Sequence, residues 1–522
     1  MVFRISVLLL AVLAMAGVFA PGPFGEISAR AQALTLSGAG WMYLVIVFVA
    51  LVFLLYLAVS PMGALRIGGD DAEPEFSRSS WFAMLFSAGM GIGLVFFGAA
   101  EPLSHFQRPP EGIEPQSLEA ARASLRYVFF HWGLHPWAIY ALMGLAMAWF
   151  QFNRNSRGLI SDLLSPLIGE RHSHGAPGKA VDVLAVVATA IGVATTLGFG
   201  AMQISAGLSH VTTVPAGFAT QAVIIAVAFV LYMASSATGL SRGIKWLSNF
   251  NMAVAALLLA LVIVLGPTAF IFESLTTTLG AYLNQLPAMS LHMTPFSQRA
   301  WVGDWTIFYW AWWIAWAPFV GAFFAKISYG RTVREFVFGV VCGPAMVSFL
   351  WFAAFGATVL YQQMFQGADQ LAALSLGIEH VLFAMADLLP LSTVISWVAI
   401  VLLLSFFVTS ADSATLVLAS MSSECGGDPP LAKKMVWGVL QSVIAVALLA
   451  AGGLEALQAV IIVAALPFAV LLVAIMVSLN RTLGEEKRLR ERHDREVRNA
   501  EVRWLQRERE RAEKVRPGAG GL

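Results

Sequence analysis

The sequence predicts an all-α integral membrane protein built from twelve transmembrane helices. Three observations carry that prediction. Of the 522 residues, 58% are hydrophobic and only 12% charged, with a mean hydropathy of +0.75, whereas an ordinary soluble domain is about 25% charged. The apolar residues fall in runs of about 20, the length that crosses a hydrocarbon core of roughly 30 Å. The charge is also segregated, since 13 of the 32 Lys and Arg lie between Arg481 and Arg516.

In chain order the apolar runs cover approximately 3 to 20, 39 to 60, 81 to 104, 127 to 151, 180 to 208, 216 to 236, 245 to 268, 304 to 326, 335 to 362, 392 to 420, 433 to 451 and 455 to 479. The first also has the form of a cleaved signal peptide, with Arg4, an apolar run and small residues after it. Twelve spans put both termini on one side. The loops on that side hold about 14 Lys and Arg against about 5 on the other, among them Arg154, Arg157, Arg242, Lys245, Arg331, Arg334, Lys433 and Lys434, which makes both termini cytoplasmic. Beyond Arg481 the composition turns abruptly polar. The pairs Glu486 with Arg490, Glu491 with Arg495, Asp494 with Arg498 and Glu510 with Lys514 have the spacing of a solvated helix, either a solubilising tail or a regulatory one that senses ions or anionic headgroups.

A net charge of +1 says nothing about nucleic acid or acidic partners, and two cysteines, Cys342 and Cys425, exclude a disulfide framework and a cysteine metal site. The sequence contains neither a phosphate-binding loop nor a nucleophile elbow, so an ATP-driven pump or a membrane hydrolase has no motif behind it.

Three places inside the apolar runs depart from an ordinary membrane helix. Segment 3 contains Gly89, Met90, Gly91, Ile92 and Gly93. Alternating glycines form no single packing stripe; they cheapen unwinding, which frees backbone carbonyls for a cation and N–H groups for an anion. Segment 8 reads FYWAWWIAWAPFVG, and Trp312, Trp313 and Trp316 lie near its centre, too deep for an interfacial aromatic belt. Helical spacing puts Trp312 or Trp313 on one face with Trp316, and Pro318 removes a helix hydrogen bond just beyond them. A second aromatic set, Trp132, Trp137 and Tyr140 with Pro136, occurs in segment 4. Tryptophan faces attract cations, and a trimethylammonium group has no N–H to offer a carboxylate, so an aromatic box suits it. Any one of these rings alone has an equally good reading as filler of the bundle interior.

The third place is SFFVTSADSAT in segment 10, where Thr409 and Ser410 offer hard oxygens of the kind a sodium ion needs. Asp412 beside them reads as a gate or structural partner rather than a direct ion ligand. His131 and His135 flank Trp132 without neighbouring carboxylate or cysteine in the sequence and read as packing or gating residues. Glu101, in GAAEPL, orients the end of segment 3 or faces a vestibule.

Taken together, GMGIG, HWGLHPWAIY, FYWAWWIAWAPFVG with the following ISYGRTVREF, and TSADS resemble signatures of the betaine-choline-carnitine transporter family, in order, over Trp41 to Asn480. The resemblance implies a five-plus-five inverted-repeat fold, with residues 66–270 (segments 3 to 7) and 271–480 (segments 8 to 12) as the repeats, two extra helices in 1–65, a charged tail in 481–522, and usually a homotrimer in a bacterial inner membrane. It implies a non-enzymatic importer of a quaternary-ammonium solute, glycine betaine first, by sodium symport with alternating access, needing no cofactor beyond sodium and no partner but solute, sodium and lipid, with no nucleic acid. Carried over by residue, the ammonium box is Trp132, Trp137, Tyr140, Trp313 and Trp316, with Phe308 and Trp312 adjacent, and Ala88, Gly89, Met90, Gly91 and Gly93 belong to the substrate site. The sodium site takes the carbonyls of Ser87, Met90 and Phe406 with the hydroxyls of Thr409 and Ser410. A second ion would use Thr189 and Phe319, but where such carriers have two threonines a turn apart this chain has Thr189 and Val193, leaving Thr195, Thr196 or carbonyls to substitute. A proton-coupled choline carrier or an ion-independent carnitine exchanger is the alternative within the family, and a non-transporting osmosensor the alternative outside it.

Overall fold

The computed structural model describes residues 1–89, 91–238, 241–297, 300–423 and 429–515. Among these there is no β-strand, only an antiparallel bridge between Arg66 and Thr332. The helices are α1 (Val2–Phe19), α2 (Pro21–Val59), α3 (Arg78–Gly89), α4 (Ile92–Phe97), α5 (Ala100–Gln107), α6 (Leu118–Trp132), α7 (Leu134–Asn153), α8 (Ser165–Ile168), α9 (Glu170–Ser173), α10 (Ala176–Val211), α11 (Phe218–Thr238), α12 (Ser241–Leu265), α13 (Thr268–Ser290), α14 (Phe308–Ile327), α15 (Val333–Phe365), α16 (Gln370–Leu376), α17 (Val381–Asp387), α18 (Ser392–Met421), α19 (Leu431–Gly452) and α20 (Leu454–Val515).

Ten of these helices are long and apolar enough to cross a membrane. The two predicted spans outside that set, segments 3 and 4, are the ones that break. Segment 3 becomes α3, α4 and α5, with Gly91 extended at the N-terminus of α4. Segment 4 breaks at Gly133 between α6 and α7, not at Pro136. Pro136 sits in the first turn of α7, where a backbone N–H has no intrahelical partner to lose. Pro318 likewise leaves α14 unbroken; the irregularity of that span is a π-helical turn at Gly303–Ile307 ahead of it.

Backbone groups freed inside an apolar bundle must find partners. Leu94 O accepts from Trp351 Nε1 at 2.9 Å, Val95 O from Gln203 Nε2 at 3.2 Å, and Leu134 N donates to the Tyr282 hydroxyl at 3.1 Å. Tyr282 belongs to α13, an additional helix between segments 7 and 8 that the hydropathy pattern does not announce, because Glu273, Ser274, Thr276, Thr277, Thr278, Asn284 and Gln285 dilute its apolar residues. α2 also begins at Pro21, well before the expected residue 39, so only Ala20 separates it from α1.

The last described element is one continuous helix of 62 residues, α20, where a membrane span followed by a separate tail helix was expected. At about 1.5 Å per residue it is roughly 90 Å long. Glu485 pairs with Arg154 at 3.2 Å and Arg481 at 3.4 Å, and Arg490 reaches Asp70 at 3.2 Å. Among the described residues the tail also pairs Lys487 with Glu491 and Glu508 with Arg511. Of the expected pairs, Glu486 with Arg490 and Asp494 with Arg498 do not form, and Arg495 meets Glu491 through its backbone oxygen. The Lys514 side chain lies outside the described residues.

Candidate functional site

The two aromatic sets converge because α7 and α14 approach closely. A Cβ on Gly321 would lie 2.7 Å from that of Met143, and one on Gly144 2.9 Å from that of Phe324. Small residues permit such backbone contact between membrane helices. The crossing brings Trp132 against Trp313 edge to face at 4.8 Å, Trp313 near Tyr140 at 6.1 Å, and Tyr140 near Trp137 at 5.8 Å. Trp312 stacks on Trp313 at 4.8 Å and Phe308 on Trp312 at 5.7 Å. All are buried except Trp316, which is half-buried and packs edge-on against Phe319 at 5.1 Å.

The indole N–H groups are turned to fixed acceptors. Trp312 and Trp316 both donate to Thr196 Oγ1, at 2.9 and 3.1 Å, which settles the spacing question: these two share a face one turn apart. Trp313 donates to His131 O at 3.1 Å, and Trp132 to Glu101 Oε2 at 2.8 Å. Anchoring the polar edge of a ring fixes the direction of its π-face, which a cation-binding wall requires. Gly93 is flush with this wall, since a Cβ there would stand 2.5 Å from Trp312 and 2.9 Å from Trp132. Gly91, two residues away, has open space around it. Met90 lies outside the described residues, as do the side chains of Ala88 and Gly89, and Ser87 is half-buried in the last turn of α3.

On α18, Phe406 is buried while Thr409 and Ser410 are half-buried. Thr409 Oγ1 donates to Ser405 O and Phe406 O at 2.9 and 3.1 Å and accepts from Asn251 Nδ2 of α12 at 3.0 Å. Asp412 is buried and accepts from Ser235 Oγ of α11 at 2.7 Å, a structural tie between α11 and α18. Thr189 is buried with no partner for its hydroxyl among the described residues, and Val193 beside it is fully buried. Thr195 Oγ1 donates to Ile191 O at 2.9 Å. Thr196 donates to Gly192 O at 3.1 Å and spends its two lone pairs on indoles, so it has none left for an ion.

One expectation is corrected. His131 does have a carboxylate neighbour: its Nδ1 lies 2.7 Å from Glu101 Oε1, and His105 Nε2 reaches the same oxygen at 3.1 Å. His131 Nε2 pairs with Thr306 Oγ1 at 2.9 Å, and the Tyr309 hydroxyl donates to Glu101 Oε2. The three groups Glu101, His105 and His131 bring ligand atoms within 4.8 Å of one another, close enough for a metal. Both rings point a nitrogen at Glu101 Oε1 and His131 is paired at its second nitrogen as well, so the set forms a hydrogen-bond network, in which His105 Nδ1 has no partner among the described residues. His135 is a packing residue, pairing with Ser290 Oγ of α13 at 2.9 Å. Glu101, His131 and Thr196 were noted from the sequence for other roles, but not Tyr309 nor the bonds that join them to the aromatic residues, since nothing in local spacing joins residues 30 or 208 positions apart.

The sequence profile of the betaine/carnitine/choline family of transporters matches residues 1–488. The chain belongs to this family. As a betaine/carnitine/choline family transporter it is a multi-pass membrane protein, and its tail from 489 onward lies beyond the family match. It is 46% identical over 489 residues to the glycine betaine transporter OpuD of Bacillus subtilis, covering 93% of this chain and 95% of the relative. It is 44% identical to the ectoine/hydroxyectoine transporter of Virgibacillus pantothenticus, covering 93% and 97% of the two chains. Glycine betaine transporter 1 of Vibrio parahaemolyticus is 43% identical over 459 residues, 86% of each chain. These relatives are named as transporters, which does not favour a non-transporting sensor.

Proposed function

We propose that this chain is a secondary active transporter that imports a quaternary-ammonium compatible solute, glycine betaine first, by sodium symport with alternating access across a bacterial inner membrane. The observation that carries the reading is the box of Trp132, Trp137, Tyr140 and Trp313, with anchored indole edges at Trp132 and Trp313. Trimethylammonium is recognised by π-faces, each contributing on the order of 0.5 to 2 kcal/mol. Relatives named for glycine betaine, at 46% and 43% identity, support the same solute. The 44% identity to an ectoine carrier supports a second substrate reading, because ectoine also carries a delocalised cation beside a carboxylate.

Glycine betaine has no net charge, so the membrane potential cannot concentrate it alone. One co-transported charge supplies about 2.3 kcal/mol per 100 mV. In this reading Thr409 and Ser410 hold the coupling sodium with the carbonyls of Ser87, Met90 and Phe406, and a second ion at Thr189 and Phe319 is weak because Val193 brings no oxygen. A choline carrier would be expected to place an acid near the glycine stretch, and at Gly93 a side chain would collide with Trp312. We further propose that residues 66–270 and 271–480 are the inverted repeats, that both termini are cytoplasmic, and that the protein is a homotrimer in contact with lipid. Uptake of radiolabelled betaine, ectoine, carnitine and choline into proteoliposomes, with and without sodium, tests the reading. Sodium-dependent uptake of betaine or ectoine but not choline is expected, and uptake of no cationic solute, or uptake indifferent to sodium, contradicts it.

A further inference from the structure

Beside the box, a buried polar cluster in the membrane bundle centres on Glu101. Its side chain is fully buried, yet it carries four short contacts from three directions: His105 on its own helix α5, His131 and Trp132 on α6, and Tyr309 on α14. An indole N–H only donates, so Oε2 accepts from Trp132 and also from Tyr309. Oε1 faces both histidine rings. With His131 Nδ1 donating to the carboxylate, Nε2 accepts from the Thr306 hydroxyl, which fixes the ring.

Two walls of the box hang from this one group. Trp132 is bonded to it directly. Trp313 donates to the backbone oxygen of His131, whose side chain is bonded to it, and stacks on Tyr309 at 5.9 Å, whose hydroxyl is bonded to it as well. A hydrogen bond from an indole N–H to an ionised acceptor is charge-assisted, shorter and stronger than one to a neutral acceptor. It also polarises the ring, moving electron density toward the π-face that a cation would meet, an effect that a low-dielectric interior preserves.

We propose that Glu101 is a positioning residue of the aromatic box, holding Trp132 directly and Trp313 through His131 and Tyr309, and that its charge strengthens the Trp132 face toward a quaternary ammonium. The inference rests on the box being the cation site. It assigns Glu101 a role in substrate affinity although it need not touch the substrate.

Betaine dissociation constants for the full-length purified protein test it, in the parent, Glu101→Gln, Trp132→Phe and the double variant. Gln keeps the size of Glu but offers a neutral acceptor, and Phe keeps a π-face but has no N–H. Glu101→Gln is expected to weaken betaine binding five- to thirtyfold. The double variant should bind within about twofold of the weaker single one, because both changes break the same bond. Binding by Glu101→Gln within twofold of the parent overturns the proposal, as do losses that multiply independently, the signature of a merely structural role. If Glu101→Gln does not fold, Tyr309→Phe is read in its place: it keeps the ring and removes one donor at Oε2, so a loss of at least twofold supports the proposal and parent-like binding overturns it. Trp137→Leu and Trp316→Leu separate the two levels. Should these bind betaine as the parent does, the box reading fails and this inference with it; should they lose affinity while Glu101→Gln does not, only the inference falls.

Discussion

Gly91 and Gly93 look interchangeable in the sequence, and the structure separates them. A methyl at position 93 would have to displace Trp312 and Trp132, whereas one at 91 meets nothing. Gly93→Ala is therefore expected to raise the KM for betaine uptake at least tenfold and Gly91→Ala less than threefold, a contrast that uptake kinetics on the two variants would read directly. Trp316→Leu and Trp137→Leu should each weaken betaine binding by about two- to thirtyfold, the equivalent of one cation–π wall. Thr196→Val keeps side-chain shape but leaves two indole donors without an acceptor, at about 1–3 kcal/mol each. It is expected to weaken betaine binding as much as losing one tryptophan, and isothermal titration on the purified variant checks this. The aromatic residues themselves were legible because tryptophan at mid-span is chemically conspicuous. Their acceptors were not: Thr196 resembles any helix threonine bonding back to its own turn, which it also does, to Gly192.

At the scale of elements, the sequence pattern located the unusual spans but not every point at which they are interrupted. Glycine runs signalled the break in segment 3, where backbone freedom is the physical cause. Pro136 and Pro318 end no helix: Pro136 falls in the first turn of α7, where its missing N–H has no partner to lose, and Pro318 is accommodated inside α14. The π-helical turn at Gly303–Ile307 and the helix α13 leave no clear hydropathy signature; each is tied across the bundle, Thr306 to His131 and Tyr282 to Leu134 N. The proposed ion site belongs to this scale too, since Phe406, Thr409 and Ser410 lie on α18 and Ser87 on α3. Thr409→Ala is expected to reduce sodium-driven uptake by more than tenfold, because a dehydrated sodium ion that loses a hard oxygen keeps part of its desolvation cost. Val193→Thr is expected to steepen the sodium dependence by restoring a second hydroxyl one turn from Thr189. Initial uptake rates across a sodium titration distinguish these outcomes from a uniform loss of activity.

Over the whole molecule, the site and the tail occupy different places. The aromatic box lies among α6, α7 and α14, while α20 carries its charges past the bundle and touches it through Arg154, Pro166 and Asp70. Exposed ion pairs of this kind contribute about 0–1 kcal/mol and weaken with salt. Deleting the chain after Gly484 is accordingly expected to leave the betaine KM within twofold of the parent while changing how uptake responds to osmotic upshift; an unchanged response would mark the tail as a solubilising helix. The abrupt change at Arg481 was plain in the sequence, but not that the same helix runs through it, because hydropathy reports environment and not backbone continuity. The most direct test of the account is the accumulation of radiolabelled glycine betaine in proteoliposomes facing an inward sodium gradient. The account predicts accumulation above the external concentration that collapses when a sodium ionophore dissipates the gradient and fails in Thr409→Ala; betaine that merely equilibrates, or accumulates equally without sodium, would contradict it.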